Sequence, residues 1–88
     1  MRLDLLLVRL RFAKSRSAAQ RWIAEGHIRC NSARVVESSS MIATGDVLTL
    51  PIGRTVKIIA VERLPRRRGP ATEAQTCYRD LTLTKSLP

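Results

Sequence analysis

The hydrophobic pattern of the chain changes its period at Gly26. Apolar residues recur at helical spacing before this glycine, whereas polar and apolar residues alternate after it, as they do in a strand. Glycine can take the left-handed conformation that ends a helix, so Gly26 is the predicted stop. We therefore expect an α+β domain in which two N-terminal helices pack on a small, mostly antiparallel sheet, with a C-terminal extension.

Two helices are predicted on the N-terminal side of the glycine. The first covers residues 2–10, where leucines recur at i, i+3, i+4 and i+7 and form one apolar face. Asp4 lies in its first turn, where the helix dipole favours an acid. The second helix is expected at residues 16–25, with Ser15 as its N-cap and Trp22 as its anchor in the core.

Short strands and turns are predicted on the C-terminal side. Alternation and β-branched residues indicate strands at residues 27–30, 34–36, 47–50 and 55–64. A turn is expected at residues 31–33, and Pro51 and Gly53 are expected to interrupt the chain between the last two strands.

The segment after residue 64 is interpreted as the extension. Residues 65–70 form a stiff basic linker, and a helical turn or two is expected between Ala71 and Asp80, with Thr72 as the cap. The tail at residues 81–88 alternates leucine and threonine and could add an edge strand or stay without regular structure. The predicted division is a domain at residues 1–64 and an extension at residues 65–88.

The charge of the chain points to a polyanionic partner. Its 88 residues carry a net charge of +9, from 16 basic and 7 acidic side chains, and 13 of the basic residues are arginine. The planar guanidinium group matches phosphate better than the point charge of a lysine does. Nucleic acid is therefore the expected ligand, and an anionic membrane surface is the less frequent alternative.

Basic and polar side chains cluster around the predicted start of the second helix. A helix N-terminus offers free backbone amides and the positive end of a dipole, which suit a phosphate group. Residues 1–34 contain eight basic side chains against two acids, so few ion pairs would cancel this charge. The predicted RNA-binding residues are Arg2, Arg9, Arg11, Lys14, Ser15, Arg16, Ser17, Gln20, Arg21, Arg29, Asn31 and Arg34.

Structured RNA is the favoured form of nucleic acid. Aromatic residues make up 3% of the chain, so recognition by base stacking is not expected and the RNA backbone and shape should carry the binding. Two helices joined by a short link could also form a DNA-binding helix-turn-helix. That motif needs a third packing helix, whereas this chain continues directly into strands.

No catalytic, metal or cofactor site is expected. The acids are scattered, His27 is the one histidine, and the two cysteines, Cys30 and Cys77, form no CxxC pair. The sequence leaves a disulfide between the cysteines open and favours two thiols of a reduced compartment. No apolar run approaches about 20 residues, so no membrane span is expected. We expect a cytoplasmic, non-catalytic monomer with no membrane or small-molecule partner.

Four motifs together resemble the S4 RNA-binding domain, named for a protein of the small ribosomal subunit. They are Arg2-Leu3-Asp4, the S-R-x-x-A segment at residues 15–19, the I-x-x-G segment running from Ile23 to Asn31, and Gly45-Asp46-Val47. The likeness covers about residues 1–50, and the resemblance implies RNA binding through two helices on a small sheet (the alpha-L motif). Ser32 stands where the family usually has glycine after Asn31.

The extension resembles a narrower group, the fifteen-kilodalton heat-shock protein family. The likeness is carried by residues 66–74, with the sequence RRRGPATEA, and by Tyr78. This resemblance implies non-catalytic binding to ribosomal RNA on the large ribosomal subunit, in a stress or ribosome-recycling role. The alternative is an accessory protein-interaction module of an RNA-modifying or ribosome-assembly complex.

Overall fold

A computed structural model describes residues 1–82 and confirms the predicted α+β class. Two helices come first, and five strands form one antiparallel sheet in the order β2-β1-β3-β4-β5. The elements are α1 (Leu3–Arg9), α2 (Arg16–Ala24), β1 (Arg29–Cys30), β2 (Ala33–Arg34), β3 (Val47–Ile52), β4 (Thr55–Val61), α3 (Ala71–Gln75) and β5 (Tyr78–Asp80).

The two N-terminal helices have the predicted ends and apolar faces. The leucine face of α1 is buried, as its spacing predicts (Leu3, Leu6, Leu7 and Leu10). Ser15 caps α2, because its hydroxyl accepts a hydrogen bond from the Ala18 amide at 3.2 Å. Gly26 follows α2 with φ of +83°, which confirms it as the stop.

Trp22 is not the core anchor that the sequence predicted. The buried side of α2 consists of Ala19 and Ile23, which are four residues apart and point the same way. Trp22 precedes Ile23 by one residue, a rotation of about 100° around the helix. Its ring is therefore half-buried at the margin of the core, and the larger part of the core comes from leucine and isoleucine.

A tight turn joins β1 and β2, which are both shorter than predicted. Asn31 and Ser32 have φ of +53° and +74°, and two consecutive positive φ angles are typical of a type I′ hairpin turn. Beyond the two-residue strands, the Val35 amide still donates to the Ile28 carbonyl at 2.9 Å. The geometry of the hairpin therefore depends more on its turn than on its two-residue strands.

The predicted interruption at Pro51 is wrong, because β3 continues through this residue to Ile52. β1 pairs with β3 only at Leu48 and Thr49. Beyond Thr49 that side of β3 has no neighbouring strand, so the missing amide hydrogen of proline breaks no ladder bond. The turn to β4 comes two residues later, at Gly53 with φ of +58°.

The C-terminal part differs from the prediction in two ways. The helix ends at Gln75, with Pro70 at its N-cap and Thr72 inside it, and Tyr78–Asp80 form a strand where helix was expected. This strand pairs with β4, and the Phe12 and Tyr78 rings meet at 5.2 Å. The edge strand therefore precedes the tail to which it was assigned, and residues 83–88 lie outside the described residues.

One sheet thus includes residues from both sides of residue 64. β4 belongs to the predicted domain and β5 to the predicted extension, and Leu81 donates its amide to the Ile58 carbonyl at 2.7 Å. Separate folding of residues 1–64 remains a prediction.

We expect Ser32→Gly to stabilise the protein by about 0.5–1 kcal/mol. A non-glycine residue in the left-handed region costs about 1–2 kcal/mol, from which the greater freedom of glycine in the unfolded chain, about 0.5–1 kcal/mol, is subtracted. Urea denaturation followed by the fluorescence of Trp22 measures the change.

The matched control for this substitution is Ser39→Gly. Ser39 is exposed and has no positive φ, so the same chemical change there is expected to leave stability unchanged or to lower it. Equal effects of the two substitutions would contradict the strain assigned to Ser32.

Candidate nucleic-acid interface

One buried carboxylate organises the basic surface at the start of α2. Asp4 in α1 has no solvent exposure. Arg2 donates to it in a bidentate manner, at 3.1 and 3.0 Å, and Arg16 donates through Nε at 3.1 Å. The Gln20 amide nitrogen adds a bond of 3.0 Å and the Leu5 amide one of 2.8 Å. We call Arg2, Asp4, Arg16 and Gln20 the Asp4 network.

The Asp4 network keeps its carboxylate ionised. Burial alone would raise the pKa of Asp4, but hydrogen bonds from Arg2, Gln20 and Arg16 oppose this effect. They hold the pKa of Asp4 well below its usual range. The buried charge is therefore fully formed at neutral pH and is satisfied by donors from both helices.

The sequence interpretation missed this role of Asp4. It explained the acid by the helix dipole, and it assigned Arg16 and Gln20 to RNA binding alone. These two residues are four apart, so they lie on one face of the helix and can converge on a single acceptor. The sequence signal for this role was a single acid in α1 together with two donors four residues apart in α2, in a region otherwise poor in acids.

The Asp4 network leaves positive charge at the surface. The Arg16 side chain is 48% exposed, and Asp4 engages its inner nitrogen, Nε. The terminal nitrogens of Arg16 have no hydrogen-bond partner within residues 1–82. Lys14 and Arg21 are exposed, and neither forms an ion pair with a described residue. The start of α2 therefore presents free cationic groups in a fixed orientation.

The two serines at this helix start are both exposed. Ser15 is occupied as the N-cap, and its hydroxyl lies 3.3 Å from that of Ser17. The first amides of α2 lack intrahelical acceptors, as at every helix start. With Lys14 and Arg16 beside them, these groups form a surface that can accept an anion.

Arg9 and Arg11 lie at the other end of α1, against residues 65–69. Arg9 donates to the Pro65 carbonyl at 3.1 Å, and Arg11 donates to the Gly69 carbonyl at 2.8 Å. Carbonyl acceptors do not neutralise the guanidinium charge. Arg9 and Arg11 therefore hold the linker in place, and their side chains keep their positive charge.

Arg34 of the hairpin lies near the C-terminal end of α2. A Cβ at Gly26 would lie 3.8 Å from the Arg34 side chain. Gly26 follows Arg16 by ten residues, which corresponds to about 15 Å of helix. A shared surface of Arg29, Asn31 and the start of α2 stays a prediction.

Within the hairpin, arginine and asparagine have different environments. Arg29 and Arg34 are both exposed and are direct cross-strand partners. Both polar atoms of the Asn31 side chain are bonded, because its nitrogen donates to Asp46 at 3.1 Å and its oxygen accepts from the Val47 amide at 2.9 Å. Asn31 therefore connects the hairpin turn to the start of β3, which explains why an asparagine and a Gly-Asp pair occur together.

The twelve predicted binding residues thus occupy three places. Those at the start of α2 and in the Asp4 network are Arg2, Lys14, Ser15, Arg16, Ser17, Gln20 and Arg21; those at the linker are Arg9 and Arg11; those in the hairpin are Arg29, Asn31 and Arg34.

The thiols and the remaining acids do not form a second ligand site of the metal-binding kind within residues 1–82. No set of three or more His, Cys, Asp and Glu side chains within residues 1–82 could hold a metal ion. Cys30 and Cys77 are free thiols, and burial, followed by the charge of Asp46, raises the pKa of Cys30. None of the helices in the described part of the chain has the length and apolar character needed to cross a membrane.

Comparison with known proteins decides the family. The S4 domain family matches residues 1–48, which is more than half of the chain. The chain belongs to the S4 domain family. This S4 domain is 41% identical over 49 residues to the small ribosomal subunit protein uS4 of Gloeobacter violaceus. The match covers 56% of this chain and 24% of that protein, so the chain spans about a quarter of its relative.

The likeness to a solved structure extends beyond the S4 domain. The fold is similar to that of heat shock protein 15 of Vibrio cholerae, which was solved as a trimer, with a TM-score of 0.87 and 34% identity. The superposition covers 93% of this chain and 82% of that one. The resemblance to the fifteen-kilodalton heat-shock proteins is confirmed, and the linker, α3 and β5 belong to the shared fold.

We expect Asp4→Asn to lower the free energy of unfolding by about 2–4 kcal/mol at neutral pH. The substitution removes a buried anion and leaves arginine donors facing a neutral group. Urea denaturation measures the loss. Asp80→Asn is the control, because the ion pair of Asp80 with Lys57 is partly exposed and should contribute less than about 1 kcal/mol. Asparagine keeps an oxygen that can accept from the Thr82 amide, which bonds Asp80 at 2.8 Å.

The effect of Asp4→Asn should depend on pH in a defined direction. The pKa of Asp4 is lower in the folded protein than in the unfolded chain, where it is about 3.9. Its stabilisation is therefore complete above that pH and is lost as the pH falls towards the folded-state value. The difference in unfolding free energy between wild type and variant should be constant from about pH 7 to 5 and shrink below about pH 4. A difference that already shrinks between pH 7 and 5 would count against the network.

Proposed function

We propose that the chain is a non-catalytic protein that binds the backbone of structured RNA, and that this RNA is ribosomal. The observation that carries the proposal is the surface at the start of α2. There Lys14, Arg16 and Arg21 are exposed, and the nearby acid, Asp4, is buried and already bonded. Such a surface has positive charge that the protein itself does not neutralise.

The cost of this charge in the free protein supports an anionic ligand. Arg29 and Arg34 lie directly opposite each other in the hairpin, an arrangement of like charges that destabilises a sheet. A phosphate between or near the two guanidinium groups would remove the repulsion. The start of α2 and the hairpin would then contact different phosphates of one RNA.

Backbone recognition agrees with the positions of the aromatic rings. Phe12 and Tyr78 contact each other, and Trp22 packs against the margin of the core. No aromatic residue in the chain is therefore fully available as a stacking platform. An RNA helix with ordered phosphates is a better match for fixed arginines than unstacked single-stranded bases are.

The ribosomal role is the finer part of the proposal. It is supported by the similarity to a small ribosomal subunit protein and by the likeness to heat shock protein 15 over nearly the whole chain. We propose the large ribosomal subunit as the binding partner, in a stress or ribosome-recycling role in the cytoplasm. An accessory module that joins an RNA-modifying or ribosome-assembly complex is the second candidate, since S4 domains also occur as parts of longer proteins.

Salt dependence tests the proposed RNA site. Each phosphate contact contributes about 0.7–0.9 to the slope of log Kd against log salt. Lys14→Ala/Arg21→Ala should weaken binding to a structured ribosomal RNA fragment and lower this slope by about 1.4–1.8. Fluorescence anisotropy over a salt series measures both quantities, and neither residue has a partner in the described structure whose loss would disturb the fold.

The charge-matched control is Arg54→Glu, which also lowers the net charge by two units. Arg54 lies in the turn between β3 and β4 and has no hydrogen bond or ion pair to a helix in the described residues. A slope change that is the same for control and double variant would show a general effect of net charge and would contradict the assigned site. A preference for duplex DNA over structured RNA at matched salt would contradict the choice of RNA.

Sedimentation with purified ribosomal subunits tests the finer proposal. We expect co-sedimentation with the large subunit, and weaker co-sedimentation of the Lys14→Ala/Arg21→Ala variant. Binding to the small subunit alone would contradict the choice of subunit. A stoichiometric protein partner that survives ribonuclease treatment would favour the accessory-module alternative.

We expect a monomer in solution, because a net charge of +9 on a chain of this size opposes self-association. Light scattering coupled to size exclusion should give a mass near 9.9 kDa. A trimer, the state of the solved heat shock protein 15, would contradict this expectation.

A further inference from the structure

We propose that the linker arginines form a second site for an RNA phosphate group and its ribose. The site is a cleft beside the segment 63–69, which we call the linker loop. It is separate from the surface at the start of α2 and contains none of the residues predicted from the sequence to bind RNA. The proposal rests on the proposed RNA-binding function and adds a second contact to it.

The linker loop is held against α1 by three hydrogen bonds from arginine to backbone carbonyl. Two come from the helix side, where Arg9 and Arg11 bind the carbonyls of Pro65 and Gly69. The third runs in the opposite direction, from Arg68 Nε to the Val8 carbonyl at 3.1 Å. Both ends of the loop are therefore fixed, although it contains no helix or strand.

The linker loop is also packed against α3. Gly69 is buried, and a Cβ placed on it would lie 2.8 Å from a carboxylate oxygen of Glu73. Glu73 in turn forms an ion pair with Arg67 at 3.0 Å. A loop that is ordered before binding loses less conformational entropy when a ligand arrives.

The arginines of this region outnumber the acidic side chains that could pair with them. Arg63 and Arg66 are exposed, and their side chains form no ion pair or hydrogen bond with a described residue. Arg67 has Glu73, but this pair is mostly in solvent, with side chains 67% and 49% exposed. Together with the three anchoring arginines, which donate to uncharged carbonyls, these groups repel one another in the free protein, and an anion would relieve the repulsion.

A cleft of suitable size and lining opens at this place. Its volume is about 430 Å³, and its walls include Arg63, Arg66 and the Arg67–Glu73 pair. Leu64, Pro65 and Cys77 add apolar surface to its lining. Arginine suits a phosphate oxygen, and apolar surface suits the carbon face of a ribose. This combination points to one nucleotide of an RNA strand.

The position of the loop explains why one RNA would reach both sites. Arg11 holds the loop and is three residues from Lys14, so their Cα atoms are at most about 11 Å apart. An RNA backbone bound at the start of α2 therefore passes close to the linker loop. Both sites would then bind the same RNA, and the phosphate contacts of each would add to the slope of log Kd against log salt.

Arg63→Ala/Arg66→Ala tests the second site, since these side chains have no partner within the described residues to disturb the fold. The probe is a fluorescein-labelled ribosomal RNA hairpin with a single-stranded extension, measured by anisotropy over a salt series. We expect the slope of log Kd against log salt to fall by about 1.4–1.8 relative to wild type. Arg54→Glu, with the same change in net charge, should produce a smaller change.

A second probe separates failure of this site from failure of the proposed function. Inorganic tripolyphosphate is titrated into the labelled wild-type protein, and the NMR signals of the Arg63, Arg66 and Gly69 amides are followed, with Arg54 as reference. Shifts at the linker loop that saturate and exceed the shift at Arg54 support the site even if the hairpin RNA does not bind.

Two outcomes would overturn the proposal while RNA binding stands. One is an unchanged salt slope in Arg63→Ala/Arg66→Ala when Lys14→Ala/Arg21→Ala still loses slope. The other is a tripolyphosphate response at Lys14–Arg21 without a response at the linker loop. Absence of RNA binding by wild type, with saturable shifts at the linker loop, would instead overturn the proposed function and leave the phosphate site supported.

Discussion

The contact between the two N-terminal helices depends on one ionised carboxylate without access to water. An isolated buried charge would be strongly destabilising, but Asp4 receives donors from its own helix and from α2. The same contact fixes how Arg16 leaves the helix surface. Stability of the helix pair and orientation of a cationic side chain therefore have a single origin, and a change that loosens one should loosen the other.

Features that follow local rules could be predicted from the sequence. The leucine face of α1, the Ser15 cap and the stop at Gly26 each depend on a few adjacent residues, and all three agree with the structure. The family was also accessible, because its motifs lie within one continuous stretch. Helix spacing alone did not distinguish Ile23, at the centre of the buried side, from Trp22 at its margin.

Features that depend on distant parts of the chain could not be predicted. Asp4 and Gln20 are sixteen positions apart, so their contact exists only once α1 and α2 have packed. Pro51 is tolerated in β3 because β1 is short, which no property of Pro51 reveals. The anchoring of Pro65 by Arg9 likewise requires that the chain come back to α1 after four strands. In each case the sequence showed the residue type and the fold supplied the partner.

The ionised state of Asp4 has a consequence for the conditions under which the basic surface works. Its pKa lies far below physiological pH, and guanidinium groups keep their charge throughout that range. The described surface at the start of α2 contains no histidine, and His27 lies beyond the end of that helix. Acidification within the range that cells experience therefore leaves this surface electrostatically unchanged. A change in ionic strength alters it directly, so the surface responds to salt and not to protons.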